Sequence, residues 1–142
     1  IRDYCRKTNQ DVPRNEAEIV RCINESLAFK YRIALEEIED CTDKKYSKLY
    51  MLGGGTQSRL LSQMTANACN IKVYGGPIEA TVLGNIAIQL IASGNIKDLK
   101  EARRIINDSH NIDEYIPKES KLWDKEFSRF KKIIKKGELI KC

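Results

Sequence analysis

The chain has 142 residues, a formal net charge of +5, and a composition 42% hydrophobic and 32% charged. These values describe a folded soluble domain rather than a disordered chain, with room for one core but not for two good ones. No apolar run approaches the roughly 20 residues that a membrane-spanning helix needs.

The opening IRDYCRKTNQ has neither the apolar centre of a signal peptide nor an initiator Met, so we expect a cytoplasmic protein whose chain starts inside something longer. Five cysteines (Cys5, Cys22, Cys41, Cys69 and Cys142) form no CxxC pair, which fits reduced thiols better than a disulfide framework or a zinc site. The single histidine, His110, sits in a polar stretch and reads as a surface-loop residue. Metal catalysis by a His/Cys cluster and Ser-His-Asp chemistry are both disfavoured by this inventory.

Residues 1–14 are polar and end in Val12-Pro13, which predicts an extended entry. Asn15 is placed as an N-cap with Glu18 three residues on, a variant of the capping box. Ile19, Ile23, Leu27, Tyr31, Leu35 and Ile38 then recur at helical spacing, predicting a long amphipathic helix that ends between Asp40 and Asp43. The run Lys48–Leu52 reads as a short buried strand bounded by Gly53, Gly54 and Gly55. A second helix follows through Leu60, Leu61, Met64 and Ala68, capped by Thr56 or Ser58.

A second short strand, Ile71–Tyr74, closes at Gly75-Gly76-Pro77. The third helix, through Ala80, Leu83, Ala87, Leu90 and Ile91, is apolar nearly all round and is predicted to be well buried. A fourth runs through Leu99, Ala102 and Ile105-Ile106. Trp123, Phe127, Phe130 and Ile134 mark an amphipathic helix over about 121–142. The excess positive charge sits mainly in that tail. Its lysines read as the wet side of the helix, so neither nucleic acid nor a membrane surface is an expected partner. The fold class is α/β, a single domain over 1–142 with few strands and about five helices. Two short strands are too few for an independent sheet, so they read as part of a larger one.

The turn Leu52–Ser58 joins a strand to a helix, where α/β proteins bind anions and nucleotides. Glycines let backbone approach a ligand closely, and Thr56, Gln57 and Ser58 bring hydrogen-bonding side chains. The turn matches neither GxxxxGK[ST] nor GxGxxG, and Glu79 lies 24 residues beyond Gly55 in a second turn. Taken alone, the glycines fit a nucleotide contact and a tight connection equally well.

The longer run Leu52–Asn85, LGGGTQSRLLSQMTANACNIKVYGGPIEATVLGN, resembles the C-terminal domain of the FGGY carbohydrate kinases. Within that family it is most similar to the rhamnulokinase branch, while xylulokinases and glycerol kinases share the skeleton with altered letters. The resemblance covers about residues 1–130. It implies an actin/hexokinase-like (ribonuclease H-like) ATPase domain, with ATP and magnesium held in a cleft between two domains.

Carried over by position, Gly54 matches the glycine whose backbone touches the nucleotide. Ser58 stands where relatives often have a longer Asn near the adenine. Gly53, Gly55 and Gln57 are neighbouring candidates, and Glu79 to Asn85 look like a packing element forming the floor of the site. The resemblance places the catalytic Asp, the sugar-binding residues and the magnesium ligands outside this chain. We therefore expect no catalytic or metal-ligating residue here. The isolated chain should be inactive, with sugar reached through a missing N-terminal domain and self-association possible through an exposed former domain interface. A free-standing, non-catalytic nucleotide-binding or partner-docking module is the alternative.

Overall fold

A computed structural model of the protein describes residues 1–139; Cys142 and the end of the predicted tail helix, residues 140–142, lie outside the described residues. The elements in chain order are α1 (Arg2–Lys7), α2 (Glu16–Thr42), β1 (Lys48–Met51), a 3-10 turn (Gly54–Gln57) and α3 (Arg59–Cys69), then β2 (Lys72–Gly75), α4 (Ala80–Ala92), α5 (Leu99–Ser109), β3 (Asp113–Tyr115) and α6 (Ser120–Leu139).

Local chemistry sets the helix ends. The Asn15 side chain accepts from the Glu18 N–H at 2.9 Å, and the Glu18 carboxylate reaches back to the Arg14 N–H at 2.7 Å. The two bonds satisfy N–H groups that a helix start leaves unpaired. Ser58, not Thr56, caps α3: its Oγ accepts from the Leu61 N–H at 3.2 Å. Asp98 caps α5 in the same way, accepting from Glu101 at 2.9 Å. Asp43 and Asn70 close α2 and α3 in the left-handed conformation, with φ of 52° and 53°.

Three strands form one sheet in the order β1-β2-β3, parallel between β1 and β2 and antiparallel between β2 and β3. Its buried face carries Met51, Val73 and Tyr115, which cluster with Leu61 and Ala66 of α3. The other face is open. There Tyr50 and Tyr74 stack with ring centroids 5.3 Å apart. Glu114 accepts from the Tyr74 hydroxyl at 2.8 Å and pairs with Lys72 at 2.9 Å. The Lys72 ammonium holds the Glu114 carboxyl below the usual carboxylate range.

The main core lies between α2, α3 and α6, where Ala28, Phe29, Met64, Ala68, Trp123 and Phe127 meet. Phe29 packs against three aromatic rings, those of Trp123, Phe127 and Phe130, at centroid distances of 5.1 to 5.7 Å. Arg32 lies over the Phe127 ring, 4.2 Å from its centroid. Its guanidinium donates to the Ala68 carbonyl at 3.0 Å and pairs with Asp124 at 2.6 Å and Glu36 at 3.1 Å.

Three expectations are corrected, and the element count and the exposure of the α2 stripe are added to them. Residues 1–14 are not wholly extended: Arg2–Lys7 form α1, anchored by buried Cys5. There are six helices and three strands among the described residues, β3 being the addition. The Lys48–Leu52 run is buried on one face only, with Tyr50 54% exposed. Along α2 the buried residues are Ala28, Phe29 and Leu35, while Ile23, Leu27, Tyr31 and Ile38 of the apolar stripe remain exposed. And α4 is not well buried. Ala87 is its one buried residue. The helix packs on α5 through a small cluster of Ala87, Ile96 and Ala102, supported by Leu90, Ile91 and Ile106, which occupies one side of it.

Two measurements check this packing. Phe127 is 2% exposed, so Phe127→Ala should lower the urea-unfolding free energy by about 3–5 kcal/mol. Burial pushes the Cys69 thiol up to about 12, whereas Cys41 is exposed. Iodoacetamide at mildly alkaline pH should therefore label Cys41 in the native protein and reach Cys69 only after unfolding, as read by peptide mass spectrometry.

Candidate functional site

Because β1 and β2 run parallel, with Met51 beside Gly75, both strands deliver their following turns to the same edge of the sheet. Backbone bonds lace the two turns together. Gly76 N–H donates to the Met51 carbonyl at 2.8 Å, and Gly53 N–H donates to that of Pro77 at 3.3 Å. This edge, beyond the carboxyl ends of parallel strands and at the start of a helix, is where α/β folds gather unpaired N–H groups.

The glycines here answer different needs. Gly53 has φ of +80°, a region that side-chain-bearing residues avoid. At Gly76 a Cβ would fall 2.5 Å from a methyl carbon of the exposed Leu52 side chain, which would have to turn aside, and 3.4 Å from the Met51 carbonyl. At Gly54 and Gly55 nothing lies within 4 Å of where a Cβ would stand, and φ is not positive. Neither packing nor backbone conformation demands glycine at these two positions. They border open space.

Thr56 Oγ1 donates to the Gly53 carbonyl at 2.8 Å, which tightens the 3-10 turn. The Ser58 oxygen is committed as the cap of α3. Thr56 and Gln57 face an open cavity of about 450 Å³ with Arg59, the second turn from Gly75 to Glu79, and a third segment, His110, Asn111 and Asp113. Of the residues predicted from sequence, the cavity walls include Gln57. Gly53, Gly54, Gly55 and Ser58 belong to the adjoining turn without lining it.

Glu79 stands at the wall, as expected of a floor element, while Asn85 is exposed on α4 and takes no part. His110 is exposed at the end of α5, as read, with Nδ1 3.2 Å from the Ile106 carbonyl, but it also borders the cavity. Arg59, Asn111 and Asp113 were not singled out from sequence. Arg59 had a signal, since it directly follows the cap of α3. The other two had none, because only the folding of β3 beside β2 brings them in.

The electrostatics are mixed. Arg59 forms no ion pair among the described residues, while Glu79 and Asp113 bring two carboxylates to the same cavity. No three His, Cys, Asp or Glu side chains among the described residues come together as a metal cage. The cavity thus carries one guanidinium against two carboxylates, with the His110 ring beside them.

Residues 3–93 match the model of the FGGY family of carbohydrate kinases, C-terminal domain. Rhamnulokinase of Bacteroides thetaiotaomicron is 41% identical over 135 residues, covering 95% of this chain and 28% of that protein. Rhamnulokinase of Bacillus subtilis is 42% identical over 119 residues, covering 84% of this chain and 24% of that protein. The chain thus spans about a quarter of the length of the curated relatives it matches. Both glycine turns lie inside the matched stretch, and His110, Asn111 and Asp113 lie beyond it.

The contrast between the glycines is open to test. Gly53, at φ 80° and ψ −166°, occupies an extended positive-φ region essentially reserved for glycine, so Gly53→Ala should cost about 1–3 kcal/mol of unfolding free energy. Gly54→Ala should stay within about 0.5 kcal/mol of the parent. Urea denaturation of both variants checks the pair.

Proposed function

The chain belongs to the FGGY family of carbohydrate kinases, and from that premise we propose that it forms the ATP-binding side of a sugar kinase. The substrate we propose is a ketose, L-rhamnulose, phosphorylated to L-rhamnulose 1-phosphate, because the similar proteins are named rhamnulokinases. Membership places the α/β architecture within the actin/hexokinase-like ATPase fold.

The observation that carries the nucleotide reading is Gly54. It is a glycine that the fold itself does not need, bordering open space at the joined ends of two parallel strands. A ligand that must come within van der Waals distance of the backbone explains why no side chain stands there. In this reading the Gly54 backbone meets ATP. Gly53 shapes the turn, Gly55 borders the same open space as Gly54, and Gln57 offers its amide from the cavity wall. Ser58 Oγ accepts the Leu61 N–H as the helix cap and keeps its hydroxyl proton and a second lone pair for another partner. Arg59 and the start of α3 favour the negative charge.

Bound ATP supplies the phosphoryl group. The residues of this chain contribute position and charge complementarity, which dominate phosphoryl transfer. We assign the magnesium ligands, the base acting on the sugar hydroxyl and the sugar-binding groups to polypeptide outside this chain. The same reading carries a cytoplasmic location.

The test is a titration of a fluorescent ATP analogue into a full-length kinase carrying this sequence, with and without Gly54→Asp. Affinity should fall at least about tenfold, roughly 1.4 kcal/mol, with the thermal midpoint unchanged. Equal affinity would reduce the turn to a structural connection. Residues 1–142 alone should show no sugar-dependent ADP release in a coupled assay.

A further inference from the structure

A second cavity of about 450 Å³ opens between α2, α3 and α6 and shares no lining residue with the first. Its floor is the border of the main core, where Phe29, Met64 and Trp123 are each less than a tenth exposed. A hollow of this size over an apolar floor, with a few polar groups converging on it, is the usual form of a small-molecule site.

Two amide side chains of α3 line the wall, and backbone groups decide which way each one points. The Lys118 N–H donates to Asn67 Oδ1 at 2.9 Å, and Gln63 Nε2 donates to the Ile116 carbonyl at 2.8 Å. A backbone N–H requires an acceptor and a carbonyl requires a donor, so neither amide can be turned over. Gln63 Nε2 also donates to Asn67 Oδ1, at 2.9 Å. Two groups are left over: Asn67 Nδ2 and Gln63 Oε1 have no partner among the described residues. Asn67 is only 8% exposed, and amide N–H groups so enclosed ordinarily have partners. The wall thus offers one free donor and one free acceptor, one helical turn apart.

Carboxylates complete it. Glu25 pairs with Arg21 at 2.7 Å and Glu126 with Arg129 at 3.3 Å, whereas Glu119 forms no ion pair among the described residues. The Glu119 carbonyl accepts from the Leu122 and Trp123 N–H groups at 2.9 and 3.2 Å, which seats the residue at the start of α6 beside the aromatic floor. The charge left unpaired in this cavity is negative, so a cation is the complementary ligand.

We propose that the cavity is a second ligand site, for a small organic amine. The apolar body of the amine lies on Phe29, Met64 and Trp123. Its ammonium pairs with Glu119 and donates to Gln63 Oε1, and a carbonyl beside the ammonium accepts from Asn67 Nδ2. The inference is independent of the nucleotide reading, because the two cavities have different walls and the opposite preference for charge.

The probe is L-phenylalaninamide, which carries an ammonium, a carbonyl and an aromatic ring on one small frame. It is titrated into a full-length kinase carrying this sequence and labelled with fluorotryptophan. Trp123 is the only tryptophan of the 142 residues, and its fluorine resonance is assigned by its loss in Trp123→Phe. A saturable shift of that resonance is expected, with a Kd at or below about 1 mM. N-acetylphenylalaninamide keeps the ring and the carbonyl without the charge, and should bind at least about tenfold more weakly. Glu119→Gln should weaken phenylalaninamide by a similar factor. Asn67→Asp retains the acceptor that Lys118 and Gln63 use, and should remove the preference for phenylalaninamide over phenethylamine, which lacks the carbonyl.

Absence of a saturable shift in the parent would overturn the proposal, as would equal binding of the charged and neutral probes or full affinity in Glu119→Gln. The comparison of probes needs no variant, so it decides the question even where a substitution unfolds the protein.

Discussion

Three helices are joined at Arg32. A half-buried guanidinium must find partners for its donors or it costs more than it contributes, and here it finds them on every side. Glu36 lies one turn on along α2, the Ala68 carbonyl lies at the end of α3, Asp124 lies on α6, and the Phe127 ring lies beneath. The Ala68 carbonyl is one of those a helix end leaves without an intrahelical donor, so the bond serves both groups. Aromatic packing around Phe29 supplies the apolar area, and Arg32 supplies direction by fixing where the end of α3 lies against α2. As α3 is rigid, fixing its last turn also fixes its first, and the first turn carries the glycine segment.

The other constraint is the lacing of the two turns. Parallel pairing of β1 with β2 brings both strand ends to one edge, and the bonds of Gly76 to Met51 and Gly53 to Pro77 hold the turns side by side. Gly53 makes the approach possible by accepting a positive φ, and at Gly76 the Leu52 side chain occupies the space that a Cβ would take. The cavity is a consequence of these backbone facts rather than of side-chain shape. That is why it is open and lined by varied residue types.

Much of this was legible in the sequence. Asn15 and Ser58 announce helix starts because their side chains must satisfy backbone N–H groups nearby, a local requirement that a local reading can detect. The glycine turns are visible for the same reason. Arg2–Lys7 escaped because a six-residue helix anchored by Cys5 alone shows no apolar period. The strand Asp113–Tyr115 escaped because three residues cannot show alternation, and only Tyr115 turns inward. With it went Asn111 and Asp113 of the cavity. The burial of α4 was misread for a different reason. Hydrophobic pattern records every contact a segment has been shaped to make, whereas the structure records those that this chain can make with itself.

The sheet also fixes an order of events. β2 and β3 are neighbours, yet α4 and α5 lie between them in the chain. Pairing them closes a long excursion, and that entropy must be spent before three short residue pairs can return anything. The parallel pair β1-β2 encloses the compact α3, which buries apolar surface as soon as it forms. The chain should thus assemble its glycine edge first and add the third wall of the cavity last. In the native sheet β3 is a three-residue edge strand tied to the core through Tyr115, and the third wall of the cavity lasts only as long as that short pairing does.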